Sequence, residues 1–338
     1  MAQHFLLSSE ARDLSILKIA TMSDNEIVEL FKQIRWADTN GKPVCPCCGS
    51  INKYYYLKTR KQYRCKECFH TFSVTSNTLF ASHKKPLKVY LLAIALFVNG
   101  VKSISALQLS RDLDVQYKTA WVLSHKIRES LMEYHNNEKL SGVCEVDGLY
   151  VNGYIKPNNK KKDRLDRRTL DKPEKRSIIV VRQRATQKDN IQGAIKTRTF
   201  VVHNEKSPIL KSIIYNTIEQ NSQIHADEHP GYNHFHAHYD MQRVNHTLEY
   251  RGPNGENNNQ SESYNARFRR MQYGQCHHIG NLYLSNYANE IAYREDTRKW
   301  SNGKIFKDIL TRCLTKLSSN EFRGYWQGNK RVVERLGV

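Results

Sequence analysis

The apolar run with the clearest strand pattern covers residues 143–151 and reads Val-Cys-Glu-Val-Asp-Gly-Leu-Tyr-Val. Its β-branched and aliphatic residues are typical of a strand buried in a sheet. Asp147 interrupts this run near its middle, and Gly148 lets the backbone twist or approach another group closely. Because an unpaired buried carboxylate is costly, we interpret Asp147 either as a metal ligand on a central strand or as a paired Asp at a strand bulge.

Further strand patterns follow this run and are interrupted by one helical pattern. The order strand, strand, strand, helix, strand predicts an α/β sheet of RNase H-like topology. Carboxylates at neighbouring strand ends can meet across such a sheet, and Asp227 ends the fourth strand. The predicted elements are strands at 143–151, 177–184, 197–203 and 223–227, with a helix from Pro208, capped by Ser207, to about Glu219.

Helical periodicity dominates the chain before residue 135. The residues Ser23-Asp24-Asn25-Glu26 fit a capping box at the start of a short amphipathic helix. Three more helices are predicted after it: Leu87–Val98, which ends at Asn99-Gly100, a helix capped by Ser103 or Ser105, and a helix from Gln116 to about Glu133. The last two of these fit a helix-turn-helix, although any three-helix bundle shows similar periodicity.

Another helix is predicted to begin near Asn259 and to end at Gly274. It carries Glu262 in its first turns, and Arg269 lies two turns later on the same face, so the two side chains can face one site. The alternative for Glu262 is an ordinary acid near a helix N-terminus, where the macrodipole favours it. A further helix is predicted at 282–293.

The charge of the chain points to its partner. Lys and Arg total 53 against 33 Asp and Glu, a formal net charge of +20 over 338 residues. A polyanion would neutralise this excess, so nucleic acid is a better explanation than a basic surface kept for solubility. We expect no membrane partner and a cytoplasmic protein, because apolar runs of about 18 residues and a signal-peptide pattern are missing.

Five of the eight cysteines fall within 24 positions, which indicates metal binding rather than disulfides. Cys45-x2-Cys48 and Cys65-x2-Cys68 are close pairs that a hairpin can bring together as four thiolates around a structural zinc ion. Cys47 is a spare thiol. The many Lys and Arg residues between the pairs suggest a phosphate-contacting face, with a solvated charged face as the alternative.

A basic insertion at residues 157–176 follows the strand that carries Asp147. We interpret it as a polar, mobile segment, either a DNA-contacting loop or a disordered linker. The predicted helix from Gln116 also begins polar and basic, as a recognition helix does. The candidate DNA contacts of these two segments are Lys118, Lys126, Arg128, Lys160, Lys161 and Lys162.

Asp147, Asp227 and Glu262 together offer carboxylates, which are hard oxygen ligands that suit Mg2+ or Mn2+. Two such ions can activate a water molecule or a 3′-hydroxyl and stabilise the leaving oxygen during in-line attack on a phosphodiester. The sequence therefore predicts a metal-dependent site for phosphodiester chemistry at the sheet.

The order of these motifs resembles that of the DDE-type transposases of bacterial insertion sequences, in the ISXO2-like group with an N-terminal zinc ribbon. The resemblance implies an RNase H-like core that uses Mg2+ to cut and join double-stranded DNA at element ends and target, and a homo-oligomer that joins two ends. The matching motifs lie within about residues 25–295 and are Cys45-x2-Cys48, Cys65-x2-Cys68, Thr119-Ala120-Trp121, Lys126-Ile127-Arg128, Glu145-Val146-Asp147-Gly148, His225-Ala226-Asp227, Asn259-x2-Glu262, Tyr273-Gly274 and His277-His278.

The resemblance leaves two candidates for the third metal ligand. This ligand can be Asn rather than Glu in the group, so both Asn259 and Glu262 fit. The seven-residue step to Arg269 favours Glu262. Arg269 stands where the group usually has Lys, which keeps the charge but changes the donor geometry. If Asn259 is the ligand, the site has one negative charge fewer and should hold its second metal ion more weakly.

We therefore interpret the chain as a transposase that cleaves and transfers DNA strands, in a prokaryotic, nucleoid-associated setting. A DNA-binding regulator that has lost catalysis is the main alternative, against which the intact acids argue. A nuclease that does not rejoin strands is the second. The predicted regions are a helical lead-in (1–40), a zinc ribbon (41–83), a helical helix-turn-helix-like segment (84–138), an RNase H-like catalytic domain (139–298) and a C-terminal tail (299–338).

Overall fold

The computed structural model describes residues 5–132, 138–166, 170–189, 191–244, 256–319 and 321–337. The chain forms two compact units. Unit 1 contains residues 1–133 and 299–330, and unit 2 contains residues 134–298 and 331–338. The predicted helix end at Glu133 and residues 167–169 of the basic insertion lie outside the described residues.

Helices and strands occur in blocks along the described chain. The α-helices are α1 (Ile16–Thr21), α2 (Asp24–Arg35), α3 (Leu87–Asn99), α4 (Ala106–Asp112), α5 (Tyr117–Leu131), α6 (Ser207–Thr217), α7 (Asn259–Met271), α8 (Leu284–Asp296) and α9 (Asn302–Thr315). The strands are β1 (Tyr54–Leu57), β2 (Gln62–Cys65), β3 (Thr71–Phe72), β4 (Val143–Val151), β5 (Arg176–Arg184), β6 (Ala194–Val202), β7 (Gln223–Ala226) and β8 (Asp240–Arg243). Short 3-10 helices cover Phe5–Leu7, Ala37–Thr39, Lys58–Arg60, Lys161–Asp163, Gln187–Asp189, Pro230–Ala237, Asn281–Tyr283 and Tyr325–Gln327, and a π-helical turn, Gln272–Cys276, follows α7.

Unit 1 combines a small antiparallel sheet, in the order β1-β2-β3, with a group of packed helices. The inner face of the sheet carries Tyr63 and Phe72, whose ring centroids lie 5.8 and 6.4 Å from that of Trp36. The capping box predicted for α2 is confirmed, because Ser23 N donates to Glu26 Oε2 at 2.7 Å and Glu26 N donates to Ser23 Oγ at 3.3 Å. The apolar face of α2 is buried at Ile27, Phe31 and Ile34.

Unit 2 is built on a five-stranded mixed sheet in the order β6-β5-β4-β7-β8. β5 runs antiparallel to both of its neighbours, β4 and β6, and β7 and β8 run parallel to β4. β4 is therefore the central strand. Val146 of β4 pairs with Ala226, the last residue of β7, so the register continued by one residue brings Asp227 beside Asp147.

Helices cover both faces of this sheet, as the alternation of side chains along a strand requires. Val146 and its even-numbered neighbours on β4 face α6, and Leu149 and its odd-numbered neighbours face α7 and α8. The α6 side is filled by Leu210, Ile213, Ile214, Tyr232 and Phe235, among others, and the opposite side by Tyr264, Phe268, Met271, Leu284, Ala288 and Ile291.

Most predicted elements are confirmed, and β4 has the predicted bounds. Two local details differ, and a third settles an open alternative. Lys206 rather than Ser207 is the N-cap of α6, and the helix that was expected to end at Gly274 changes to a π-helical turn at Gln272. Ser105, not Ser103, caps α4, where its Oγ accepts the N–H of Gln108 at 3.1 Å.

Two larger elements were not predicted. β8 forms at the sheet edge although its sequence, Asp-Met-Gln-Arg, lacks a strand pattern, because its backbone pairs with β7. The segment 299–338, expected to be a C-terminal tail, contains α9, whose Phe306, Ile309 and Leu310 are buried in unit 1. Among the described residues, no helix has the length and apolar character needed to cross a membrane.

Candidate functional site

Asp147 and Asp227 lie side by side where the central strand and its parallel neighbour meet. Asp147 Oδ1 accepts a hydrogen bond from Gly148 N at 2.8 Å, and its Oδ2 accepts one from Asn265 Nδ2 at 2.7 Å. Asp227 Oδ1 accepts one from His229 N at 3.0 Å, in the turn that leads to the 3-10 helix at Pro230–Ala237. These bonds fix the orientation of both carboxylates.

The electrostatic environment of Asp147 identifies its acidic neighbours. The pKa of Asp147 is raised to about 7, chiefly by burial and also by the charges of Asp227, Glu205 and Glu262, against the lowering effect of the hydrogen bond from Gly148 N. The site therefore holds four carboxylates, three of which are the acids predicted from sequence. Such a concentration of negative charge in a partly buried place is stable when a cation neutralises it.

Glu205 is the acid that the sequence analysis missed. It lies in the connection between β6 and α6 and is buried, with 7% of its surface exposed. Its Oε1 accepts a hydrogen bond from Ser177 Oγ, and its carboxylate occupies the space beside Gly148, where a Cβ atom would overlap Oε1. Glycine at position 148 is thus required for this close approach. Tyr232 is also buried, and its hydroxyl has no hydrogen-bond partner among the described residues.

The N-terminus of α7 is anchored to β4 two residues before Asp147. Glu145 is fully buried, and its Oε2 accepts hydrogen bonds from Gln260 N at 2.7 Å and Ser261 N at 3.0 Å. Its Oε1 accepts one from Arg184 Nε at 2.6 Å. The carboxylate therefore satisfies the free amides of the first helical turn and complements the helix dipole. This contact fixes where the side chains of α7 lie relative to Asp147.

The two candidates for the third ligand occupy different positions on α7. Asn259 is the first helical residue and is exposed. Glu262 is also exposed, but its charge acts on Asp147, and Asn265, one turn later on the same face, bonds Asp147 directly. Asn265 Oδ1 has no hydrogen-bond partner among the described residues, which leaves an amide oxygen available beside the acids.

Arg269 lies on the Glu262 face of α7, as its spacing predicts. Its guanidinium donates to the carbonyl oxygen of Tyr150, three residues beyond Asp147 on β4. It also donates to Gln272 Oε1 at 3.3 Å and to Tyr273 Oη at 3.4 Å. These bonds hold a positive charge at the same end of β4 as the acids.

The four predicted cysteine ligands come together in unit 1. The Sγ atoms of Cys45 and Cys68 are 3.6 Å apart, as are those of Cys48 and Cys65. All four lie within 4.8 Å of one another, and among the described residues this is the one such group of three or more Cys, His, Asp or Glu. The carboxylates of Asp147, Asp227, Glu205 and Glu262 do not form such a group, so they lie farther apart than these four thiols. Cys47 is exposed and outside the group, as predicted.

Among the four thiols, Cys65 has a backbone environment that favours the thiolate, whereas burial and the neighbouring thiols raise the pKa of Cys68 to about 12. Hydrogen bonds from backbone amides, chiefly that of Cys68, lower the pKa of Cys65 to about 7. Because the thiolate is the form that binds zinc, this lowers the cost of deprotonation. Four sulfur donors in a closed group fit structural zinc, which has a tetrahedral preference.

The structure corrects the assignment of Arg128 as a DNA contact. Arg128 is 1% exposed and donates to Ser124 Oγ at 3.1 Å and Ser103 Oγ at 3.3 Å, with its guanidinium 5.6 Å from the ring centroid of Phe97. It therefore supports the helix packing of unit 1. The sequence predicted exposure because basic residues of amphipathic helices are usually exposed, and two of the partners that bury Arg128, Ser103 and Phe97, are distant in the chain.

The remaining predicted DNA contacts differ in exposure. Lys126 is half-buried, and burial lowers its pKa. Lys118 is exposed, with Nζ 5.3 Å from the ring centroid of Trp326, and Trp121 of α5 packs on Phe322 and Tyr325. Residues of the C-terminal segment thus cover part of the α5 surface. In unit 2, Lys160, Lys161 and Lys162 are all exposed.

Comparison with known proteins places both sites in matched regions. Residues 139–296 match the family described as ISXO2-like transposase domain, and residues 22–71 match the transposase zinc-ribbon domain. The chain is 30% identical over 137 residues to a curated protein described as an uncharacterized protein in transposable element ISH50 of Halobacterium salinarum. That match spans 40% of this chain and 44% of the relative, less than half of either. The chain matches no solved structure at a significant level. The resemblance indicated by the motifs is confirmed.

Proposed function

We propose that this chain, whose two matched regions belong to the transposase zinc-ribbon and ISXO2-like transposase domain families, binds the ends of an insertion element and catalyses metal-dependent strand cleavage and strand transfer. The observation that carries the proposal is the meeting of Asp147 and Asp227 on adjacent parallel strands beside Glu262. The sheet order of unit 2, three antiparallel strands followed by two parallel ones, supports an RNase H-like core.

The donor set of the site fits Mg2+ or Mn2+. It offers carboxylate oxygens and the amide oxygen of Asn265, which are hard ligands, and neither Cys nor His is among the groups identified above. We assign Asp147, Asp227 and Glu262 as the residues that would hold the ions, with Asn259 as the alternative to Glu262. Bound ions would polarise the scissile phosphate and lower the pKa of an attacking water or 3′-hydroxyl.

The chain's own residues would orient these groups. The hydrogen bonds from Gly148 and Asn265 keep both oxygens of Asp147 in fixed directions. Glu145 fixes the start of α7 and with it the position of Glu262. Arg269 keeps its charge at the end of β4, where it would attract a DNA phosphate. Pre-positioned groups of this kind account for most of the catalysis in phosphoryl transfer.

We propose that the DNA is held by basic residues of both units and that the cysteines bind one zinc ion. The net charge of +20 predicts strong, salt-dependent attraction to duplex DNA. Lys118 and Lys160–Lys162 are exposed and available for phosphate contacts, and Lys126 contributes less because it is half-buried. Joining two element ends and a target requires more than one catalytic site, so we expect a homo-oligomer on DNA, in the cytoplasm of a prokaryotic cell.

The catalytic assignment is tested with a labelled duplex that carries the element end. Asp147→Ala and Asp227→Ala should each reduce Mg2+-dependent cleavage and joining by more than about 100-fold, since even residues that only support a metal ligand contribute about 10- to 100-fold. Both should still bind the duplex. Glu138→Gln, which alters an exposed carboxylate paired with Lys196 at 3.2 Å, is the control and should behave as wild type.

Two further variants separate the candidates for the third position. If Glu262 holds a metal ion, Glu262→Gln should lose most cleavage and Asn259→Ala should lose less; the opposite order would transfer the role to Asn259. Near-normal cleavage by Asp147→Ala or Asp227→Ala would refute the catalytic assignment. An inactive wild type that binds element ends tightly would favour the alternative of a DNA-binding regulator.

A further inference from the structure

The two zinc knuckles of unit 1 differ at one equivalent position. The residue that follows the second cysteine of each pair has a left-handed backbone conformation, with φ of 73° at Gly49 and 57° at Phe69. Glycine adopts this conformation readily, whereas a bulky side chain adopts it at a cost. Phe69 does not recover that cost by burial, because 62% of its surface is exposed. Its ring is therefore better explained by an external contact than by the stability of the ribbon.

Phe69 belongs to an exposed face of the ribbon sheet in which aromatic rings and cations alternate. Tyr55 of β1 pairs with Arg64 of β2, which pairs with Thr71 of β3, so their side chains form one row on the outer face. Lys66 Nζ lies 4.9 Å from the ring centroid of Tyr55, and the Arg64 guanidinium lies 5.6 Å from that of Phe69. Tyr55 is 57% exposed.

The opposite face of the same sheet is occupied by the ribbon core. Tyr63 and Phe72 are both less than 5% exposed and pack on each other with ring centroids 5.4 Å apart. The outer aromatics consequently have no part in closing this core. Two exposed rings flanked by cations offer flat apolar surfaces for stacking and charges for phosphates, which is the combination that proteins use to bind single nucleic-acid strands.

We propose that this outer face, made of Tyr55, Arg64, Lys66 and Phe69, binds a single-stranded segment of nucleic acid by stacking unpaired bases on Tyr55 and Phe69. Paired bases hide their faces inside the duplex, so a duplex would contact the cations of this surface but would not stack on its rings. A basic partner is disfavoured by charge, because Arg64 and Lys66 make this face positive and the nearby acid Glu67 already pairs with Lys53 at 2.9 Å. The proposal rests on the nucleic-acid partner of the proposed function but not on its catalytic residues.

The test uses the full-length, zinc-loaded protein without Mg2+, so that binding is measured without cleavage. Fluorescence anisotropy gives its affinity for a labelled 12-nucleotide oligothymidine and for a duplex of the same length, and oligouridine distinguishes DNA from RNA as the preferred strand. Phe69→Gly and Tyr55→Leu should each weaken single-strand binding by about 5- to 150-fold, the measured range for one stacked base. Duplex affinity should change by less than about two-fold.

Matched replacements at position 69 separate stacking from other effects. Phe69→Trp keeps a ring and should retain single-strand affinity, whereas Phe69→Leu keeps an apolar side chain in the same backbone conformation and should lose it. Phe69→Gly removes a bulky residue from a left-handed backbone position. This variant should therefore release zinc to a chromogenic chelator no faster than wild type does. That measurement excludes unfolding of the ribbon as the cause of weakened binding.

Three results would overturn the proposal: single-strand affinity of Phe69→Gly within two-fold of wild type, equal losses on single strand and duplex, or retained affinity in Phe69→Leu. The second would make the surface an ordinary duplex contact, and the third a non-specific apolar one. Failure of the catalytic proposal leaves a separate signature, because Asp147→Ala would then cleave normally while the effects at Phe69 persist.

Discussion

Replacing Asp147 with asparagine should make the metal-free protein more stable at pH 8 while abolishing cleavage. Asp147 has a pKa of about 7 in the folded state against an ordinary value of 3.8, so the folded protein holds this proton more tightly than the unfolded chain does. The stability that this group contributes to the folded protein is therefore fully present below about pH 3.8 and is lost as the pH rises through about 7. The asparagine side chain carries no charge, so the Asp147→Asn variant escapes that loss.

The size of the effect follows from the pKa difference. A pKa raised from 3.8 to about 7 corresponds to at most ~4 kcal/mol, since a tenfold change in proton affinity is about 1.4 kcal/mol. Asp147 is half-buried rather than enclosed, so we expect about 2 kcal/mol. The hydrogen bonds should survive, because Asn265 can turn its amide to place the presently unpartnered Oδ1 against the new amide nitrogen at position 147.

The assay is urea unfolding of wild type and Asp147→Asn at pH 5 and pH 8 without divalent ions, followed by pH 8 with Mg2+. The advantage of the variant should be larger at pH 8 than at pH 5. Mg2+ should stabilise wild type alone, by about 2.7 kcal/mol at 100 times its Kd. Asp296, whose pKa burial raises to about 7, titrates in both proteins and cancels in the comparison. A variant less stable than wild type at pH 8 without metal would refute the reasoning.

Three further predictions concern unit 1. Cys65→Ser should remove stoichiometric zinc and lower the melting temperature, whereas Cys47→Ser, which alters the exposed thiol outside the cluster, should retain one zinc per chain; equal zinc content in both variants would refute the four-cysteine site. Arg128→Ala should lower the free energy of unfolding by about 2–4 kcal/mol without changing the salt dependence of duplex binding, because it removes a buried, hydrogen-bonded charge. Lys118→Ala should leave the free energy of unfolding unchanged and reduce the slope of log affinity against log salt by about one. A changed slope in Arg128→Ala would instead indicate that Arg128 contacts DNA.

Local signals in the sequence were sufficient for the ribbon cysteines and for most elements. The C-x2-C spacing determines which thiols can share a metal ion, and the capping box at Ser23 marks a helix start through contacts within four residues. The apolar run at 143–151 identified β4 with its full bounds. The acidic residues at Asp147 and Asp227 were found because each interrupts or ends an apolar strand, where a carboxylate needs a reason to be present.

Contacts between residues far apart in the chain were decided by the tertiary structure. Glu205 joins the acids because the connection between β6 and α6 brings its carboxylate beside Gly148, and Asn265 does so because Glu145 fixes the start of α7. Neither acquires this neighbour through sequence spacing, since 57 and 118 positions separate them from Gly148 and Asp147. Only the fold determines such approaches.

Burial of charge was likewise decided by the tertiary structure. Arg128 and Lys118 lie ten residues apart on one amphipathic helix, and both were predicted to contact DNA. Packing against Ser103, Ser124 and Phe97 buries Arg128, while Lys118 remains at the surface. The periodicity of α5 shows which face of the helix is apolar. Which of its polar side chains become buried depends on the residues that the rest of unit 1 packs against them. The sequence alone thus determined residue chemistry and local conformation, and long-range packing determined which of those residues meet, because that packing is set by the whole chain at once.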